Sequence, residues 1–238
     1  MIKRLLKSYA RKLGYVIAAH DPAMDPIDVR RSLFRTKKIN VVFDVGANSG
    51  QYARQLKETG YTGKIVSFEP LSSAFKILEE SASKHANWMV QRCALGDKEE
   101  TAEINISRNS WSSSMLDALE ALEQAAPEAI YVDKELISIK TLDSLFSNYV
   151  TEGDQVFLKM DTQGYTAKVL EGASESINKI QGIFVEMSLI QLYSGEPLIG
   201  DITTMLYKKG FILAFIEPEF IDRKTGQLLQ VNGFFIRV

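Results

Sequence analysis

The sequence predicts an α/β fold built on a doubly wound, mostly parallel sheet, and three observations carry that prediction. Short apolar runs of strand length alternate with segments in which Leu, Ile or Val recur at helical spacing. The first strong run, Val41 to Val45 in NVVFDVGANSG, is apolar apart from Asp44, as suits a strand buried on both faces, and it ends in a glycine-bracketed turn. A length of 238 residues with 45% hydrophobic and 24% charged residues suits one large globular domain with a substantial core.

Taken in order, MIKRLLKSYARKLGY reads as an amphipathic helix. Leu5, Leu6, Tyr9 and Leu13 fall near one face, and Lys3, Arg4, Lys7, Arg11 and Lys12 occupy much of the rest. It is expected to cap the domain or a partner subunit of a homo-oligomer, or to rest on an anionic membrane surface. HDPAMDP follows with two prolines and no periodic apolar face, so residues from about 20 to 38 read as a linker or lid. Strands are expected at Val41 to Val45, Lys64 to Glu69, Trp88 to Cys93, Val156 to Asp161, Gly182 to Met187, Phe211 to Ile216 and Gly233 to Val238. Helices are expected at Gln51 to Glu58, Ser73 to Lys84, Ala167 to Asn178 and Ile202 to Lys209. Two segments, TAEINIS and LISIKTLD, alternate with period two and suggest a small antiparallel pair inserted after the third core strand. The serine-rich stretch between them reads as a mobile loop, followed by a short helix, beside the site.

Composition narrows the chemistry. A net charge of −2 offers no global attraction for nucleic acid. The single Cys93 rules out an internal disulfide framework and is compatible with a reducing, cytoplasmic location. With only His20 and His85 besides that thiol, a metal would need oxygen ligands, and no metal site is expected. No apolar run reaches transmembrane length, and the N-terminus lacks a signal-peptide core.

The turn Gly46-Ala47-Asn48-Ser49-Gly50 is neither a phosphate-cradling Gly-Lys-Ser/Thr loop nor the dinucleotide pattern G-x-G-x-x-G. Asp44, two residues earlier, would repel a pyrophosphate and attract a cation. S-adenosylmethionine is such a ligand, since its sulfonium and ammonium are positive and its ribose needs an acidic acceptor. Glu69 in KIVSFEP, 25 residues after Asp44, stands where a nucleotide-binding βαβ unit meets ribose hydroxyls. Pro70 follows it. In CALGD, Ala94 and Leu95 could offer backbone amides or apolar contact to an adenine, unless the segment is an ordinary strand-ending turn.

The segments VVFDVGANSGQYARQL, VSFEP, CALGD, LKMDTQGYTAKVLEGA, IFVEMSLIQLYSGEP, KKGF and QVNGFF resemble, in order and spacing, the FkbM family of S-adenosylmethionine-dependent methyltransferases. The resemblance covers residues 39–238 as the methyltransferase domain and leaves 1–38 as the arm and linker. It implies a class I methyltransferase (Rossmann-like) sheet of seven strands with the last antiparallel. It also implies O-methylation, with hydroxyls of sugars in polysaccharides, glycolipids or glycosylated metabolites as the usual acceptors. Two residues depart from the pattern, in which Glu commonly follows QGY and Asp stands in QVDG. This chain has Thr166 and Asn232 there.

Methyl transfer to oxygen needs in-line alignment and removal of a proton. Asp161 and Glu186 end neighbouring strands and are the candidates for that work, although Asp161 could instead cap a helix and Glu186 could serve a structural ion pair. Lys159, on the same face as Asp161, could pair with a neighbouring carboxylate or face a cofactor edge. Gln163, Tyr165, Tyr193 and Trp111 are candidates for binding the acceptor. A nicotinamide-dependent oxidoreductase and a non-catalytic scaffolding relative remain as alternatives on the same sheet type.

Overall fold

A computed structural model describes residues 2–17 and 19–238, with side chains described from Leu6 onward. The chain runs α1 (Ile2–Lys12), α2 (Pro26–Thr36), β1 (Val41–Val45), α3 (Gln51–Glu58), β2 (Lys64–Phe68), α4 (Ser72–Ala82), β3 (Trp88–Gln91), β4 (Ala94–Leu95) and β5 (Glu100–Ser107). It continues through α5 (Glu120–Ala125), β6 (Tyr131–Lys140), α6 (Leu142–Phe146), β7 (Val156–Met160), α7 (Thr166–Glu171), β8 (Ile180–Ser188), α8 (Ile199–Lys208), β9 (Phe211–Ile221) and β10 (Leu228–Arg237).

Seven strands form one sheet in the order β3-β2-β1-β7-β8-β10-β9. β3, β2, β1, β7 and β8 run parallel, and β10 is antiparallel to both of its neighbours. The strand order reverses at β1/β7, the switch point beside which open α/β sheets bind ligands. Both faces are covered, as the near-continuous apolar strands require. Val41, Phe43 and Val45 of β1 join Leu158, Met160, Ile183 and Val185 in one core. On the opposite face Val42 packs with Ile65, Phe157, Phe184 and Phe234.

Three sequence expectations are corrected. First, residues 26–36, expected to lie in an irregular linker or lid, form a helix. Asp25 caps it, accepting from the Ile27 and Asp28 amides at 2.9 and 3.2 Å, and Pro26 occupies its first turn. Its buried face holds Phe34, whose ring packs tilted against Phe157 with centroids 4.6 Å apart, but also Arg30, and that polar residue on the inner face hides the apolar periodicity. Second, the third core strand stops at Gln91. Ala94 and Leu95 leave the main sheet and pair in parallel with β6, so the expected antiparallel pair, β5 and β6, gains β4 as a third strand in the order β4-β6-β5. Third, β9 and β10 extend beyond the expected strands. β9 runs on through Pro218 because it is an edge strand, where a residue without an N–H is tolerated.

Candidate functional site

Above the carboxyl ends of β1, β2, β7 and β8 lies a cleft of about 700 Å³. Its walls come from the β1–α3 turn, the end of β2, β4, the serine-rich loop Asn109–Met115, the β7–α7 loop and the extended part of the β9–β10 pair. Of the residues singled out in the sequence, Gly46, Asn48, Glu69, Pro70, Ala94, Leu95, Trp111, Asp161, Gln163, Tyr165 and Glu186 line it. Asp44, Ser49, Gly50 and Tyr193 do not.

The glycines of the turn serve packing between parts of the protein. At Gly46, φ is +69° and an added Cβ would overlap the carbonyl oxygen of Asp161. At Gly50, φ is +89° and a Cβ would come within 2.9 Å of Leu78 and Trp88. Both positions therefore need glycine to close the turn against β7 and α4. Asn48 takes φ +46°, with its side-chain oxygen accepting from the Ser49 amide at 2.8 Å.

Asp44, expected to face a cationic ligand, lies instead beneath the cleft floor with no exposed surface. Register explains this: Lys159 of β7 and Ser67 of β2 are its direct partners across β1. Asp44 Oδ1 is 3.1 Å from the Lys159 ammonium, and its Oδ2 accepts from the Ser67 hydroxyl at 3.2 Å. Lys159 is 5% exposed and donates to the Gly46 carbonyl at 2.8 Å. Burial works against its charge, but Asp44 and Asp161 together hold the ammonium above its ordinary range. This pair ties the turn to β7 from below.

Glu69 is 4% exposed. One carboxyl oxygen accepts from the Asn48 amide at 2.8 Å and the other from the Leu71 amide at 2.9 Å, which holds the β1 and β2 turns together. Burial pushes its carboxyl up to about 7 from an ordinary 4.5, against the pull of those two amides. The folded carboxyl thus holds its proton more tightly than the unfolded one, so its contribution to stability is full below about pH 4.5 and is lost as pH rises through about 7. Relative to Glu69→Gln, the wild type is expected to lose about 3 kcal/mol between pH 4.5 and 7.5. Urea unfolding across that range checks it, and parallel profiles would refute it.

At the other end of the cleft the carboxylates gather. Asp161 is just past the end of β7 and its side chain is 40% exposed. α7 begins five residues later and is capped by the backbone at Tyr165, so Asp161 is not a helix cap. Gln163, held at φ +47°, donates from Nε2 to Asp161 Oδ1 at 2.7 Å and to Glu186 Oε2 at 3.1 Å. The Tyr193 hydroxyl donates to Gln163 Oε1 at 2.6 Å, which fixes the orientation of that amide. Both side-chain N–H groups of Gln163 are committed, and Tyr193 is wholly buried behind it, so these two of the four residues expected to touch the acceptor form a brace for the carboxyls.

Gln230 gives Glu186 Oε2 a second donor at 2.9 Å, and no cation pairs with Glu186 among the described residues. Burial first, then the negative charge of Asp161, raise the Glu186 carboxyl well above the carboxylate range. Trp111 stands at the rim, 68% exposed. Thr166 lies buried outside the lining, next to the Thr162 hydroxyl at 3.3 Å.

Sequence reading missed Glu217 and Glu219, which alternate on one face of β9 and line the cleft. Asn232 of β10 donates to Glu219 at 2.6 Å and to Glu217 at 3.3 Å. An aspartate there would add a third carboxylate to two that burial already raises, so the amide suits this pair. The signal that could have found them is the period-two pattern of FILAFIEPEFI, which continues past Ile216 through Pro218.

No curated protein matches the chain significantly. Among solved structures, an rRNA methylase from Streptococcus thermophilus has 9% identity over 93% of this chain and 99% of its own, with a TM-score of 0.46. Magnesium protoporphyrin IX methyltransferase from Synechocystis PCC 6803, solved with bound SAM, has 11% identity over 99% of this chain and 97% of its own, also at 0.46. Likenesses so distant say nothing of the acceptor. Residues 44–213, from the end of β1 to the start of β9, match the family described as the methyltransferase FkbM domain. That match takes in the β1 turn, Glu69 and the Asp161–Glu186 corner, and the chain accordingly belongs to the FkbM family and is an S-adenosylmethionine-dependent methyltransferase.

Proposed function

We propose that this methyltransferase acts on a hydroxyl of a sugar in a polysaccharide, glycolipid or glycosylated metabolite. The observation that supports this most is the carboxyl-lined half of the cleft, where Asp161, Glu186, Glu217 and Glu219 surround one cavity. Carboxyl oxygens accept hydrogen bonds from the many hydroxyls of a neutral polyol. The ionised carboxylates among them disfavour RNA or DNA, whose phosphates would enter that field.

The cleft residues also fit the methyl donor. Glu69 uses one lone pair of each oxygen on a backbone amide and keeps the others for ribose hydroxyls. Leu71, Ala94, Leu95 and Ile104 give an apolar wall for a planar base, and Pro70 borders it. Gly46 and Asn48 line the middle, while Ser49 and Gly50 shape the turn. S-adenosylmethionine, when bound, supplies the electrophilic methyl.

Asp161 accepts the proton of the acceptor hydroxyl, oriented by Gln163 and the nearby Lys159 ammonium at 3.9 Å. Glu186, whose buried carboxyl holds its proton more tightly than an exposed one, can donate a hydrogen bond to a neighbouring acceptor oxygen. Tyr165 and Trp111 offer flat surfaces to the sugar.

Methyl transfer from radiolabelled donor to a panel of hexose glycosides and lipid-linked saccharides, with ribosomal RNA as a further arm, tests the reading. Label in a glycoside is expected. Label in RNA alone, or no thermal shift with S-adenosylhomocysteine, would overturn it, whereas donor binding without transfer to any saccharide would favour a scaffolding role.

The reading extends to α1. Leu6, Tyr9 and Leu13 are 56, 66 and 60% exposed beside Lys7, Arg11 and Lys12, which suits an anionic lipid surface carrying a glycolipid acceptor. Removing residues 1–15 is expected to reduce cosedimentation with phosphatidylserine vesicles and to spare S-adenosylhomocysteine affinity. Equal sedimentation of both forms would leave α1 a capping role.

A further inference from the structure

Two side chains line the cleft with a positive charge, Lys159 and Arg30. Lys159 is committed to Asp44 and to the Gly46 carbonyl. Arg30 is not. It projects from α2, in the segment expected to be a linker or lid, is 5% exposed, and has no ion-pair partner within 4.0 Å among the described residues. Its guanidinium lies over the Tyr52 ring, 5.0 Å from the centroid. Arg30 Nη2 and the Tyr52 hydroxyl are both buried and both lack a hydrogen-bond partner among the described residues.

Two adjacent unmet donors in one wall of a ligand cleft are unusual, because buried N–H and O–H groups nearly always find acceptors. Tyr52 is positioned with care: its ring stacks on Phe184 at 5.6 Å, and Lys159 sits 5.8 Å from its centroid. It follows Gln51 at the start of α3, immediately beyond the Gly46–Gly50 turn, and so belongs to the donor end of the cleft.

We infer that Arg30 and Tyr52 form a subsite for a carboxylate, that of the amino-acid end of the methyl donor. A carboxylate supplies two acceptor oxygens, one for the guanidinium and one for the phenol. The Arg30 side chain has several rotatable bonds, so it can turn from the ring toward the cleft without moving α2. Charge order favours an α-amino carboxylate over a phosphate. Asp161, Glu217 and Glu219 share the cavity, so a dianion would be repelled, whereas an amino acid brings its own ammonium to meet them. The inference rests on the donor placement above and gives α2, outside the matched family region, a direct role in the site.

Calorimetry with S-adenosylhomocysteine and with 5′-methylthioadenosine, which lacks the amino-acid end, separates the possibilities. Arg30→Met is expected to weaken S-adenosylhomocysteine about 10- to 100-fold and Tyr52→Phe about 3- to 10-fold, each leaving methylthioadenosine unchanged. Unliganded thermal unfolding of both variants checks that they fold, and Tyr52→Phe removes only the hydroxyl. Unchanged S-adenosylhomocysteine affinity in both variants, or equal weakening of both ligands, would overturn the donor assignment. If affinity is unchanged but a methyl glucuronoside stabilises the wild type and not Arg30→Met, the carboxylate belongs to an acidic acceptor. A wild type that binds neither nucleoside would overturn the donor placement itself.

Discussion

Asp44→Ala is expected to destabilise the protein by about 3–5 kcal/mol, the loss that follows when one partner of a buried ion pair is removed and the other stays charged. Asp44 has no exposed surface and Lys159 is 5% exposed, so the ammonium left behind would keep only carbonyl oxygens at hydrogen-bond distance, with the partly exposed Asp161 carboxylate 3.9 Å away. For a chain of this size the loss corresponds to roughly 6–20 °C in Tm. The double variant Asp44→Ala/Lys159→Met should recover much of it, because an apolar side chain needs no counter-ion there. Denaturant unfolding of the two single variants and the double variant measures the coupling. An Asp44→Ala protein of wild-type stability that no longer binds S-adenosylhomocysteine would show instead that the carboxylate serves the cofactor.

The second large effect concerns Asp161→Asn, which keeps the shape and can still accept from Gln163 Nε2 through its amide oxygen. Turnover is expected to fall about 10²- to 10⁴-fold, the range for removing a positioned general base, with S-adenosylhomocysteine affinity retained. Steady-state rates on the saccharide that accepts label, alongside calorimetry, separate the two effects. Normal turnover in this variant would move proton removal to Glu186. Loss of donor affinity in step with turnover would make Asp161 a binding group.

The parallel core of the fold was legible because its strands are short apolar runs closed by turn residues, and such runs have few alternatives once helices alternate with them. Glu69, Asp161 and Glu186 were legible for a related reason: each stands at the carboxyl end of such a run, the rim where this sheet type opens its crevice. The extended β9–β10 pair was not, since Pro218 has the same local signal at a strand end and within an edge strand. Glu217, Glu219 and Gln230 were lost to the site with it. α2 was hidden by Arg30 on its inner face, which breaks the apolar stripe that marks a packed helix.

By itself the sequence determined the fold class, the family and which strand ends would carry the acidic residues, because those follow from patterns within single elements. Only the tertiary structure decided what each acid faces. Register places Lys159 opposite Asp44 and turns an expected ligand contact into a buried ion pair beneath the floor. Tyr193 reaches across 30 residues of sequence to orient Gln163, whose amide then binds two carboxyls instead of a substrate. Partners of this kind are set by which strands lie side by side and by how far one slides along the other, and no periodicity within a single segment encodes either.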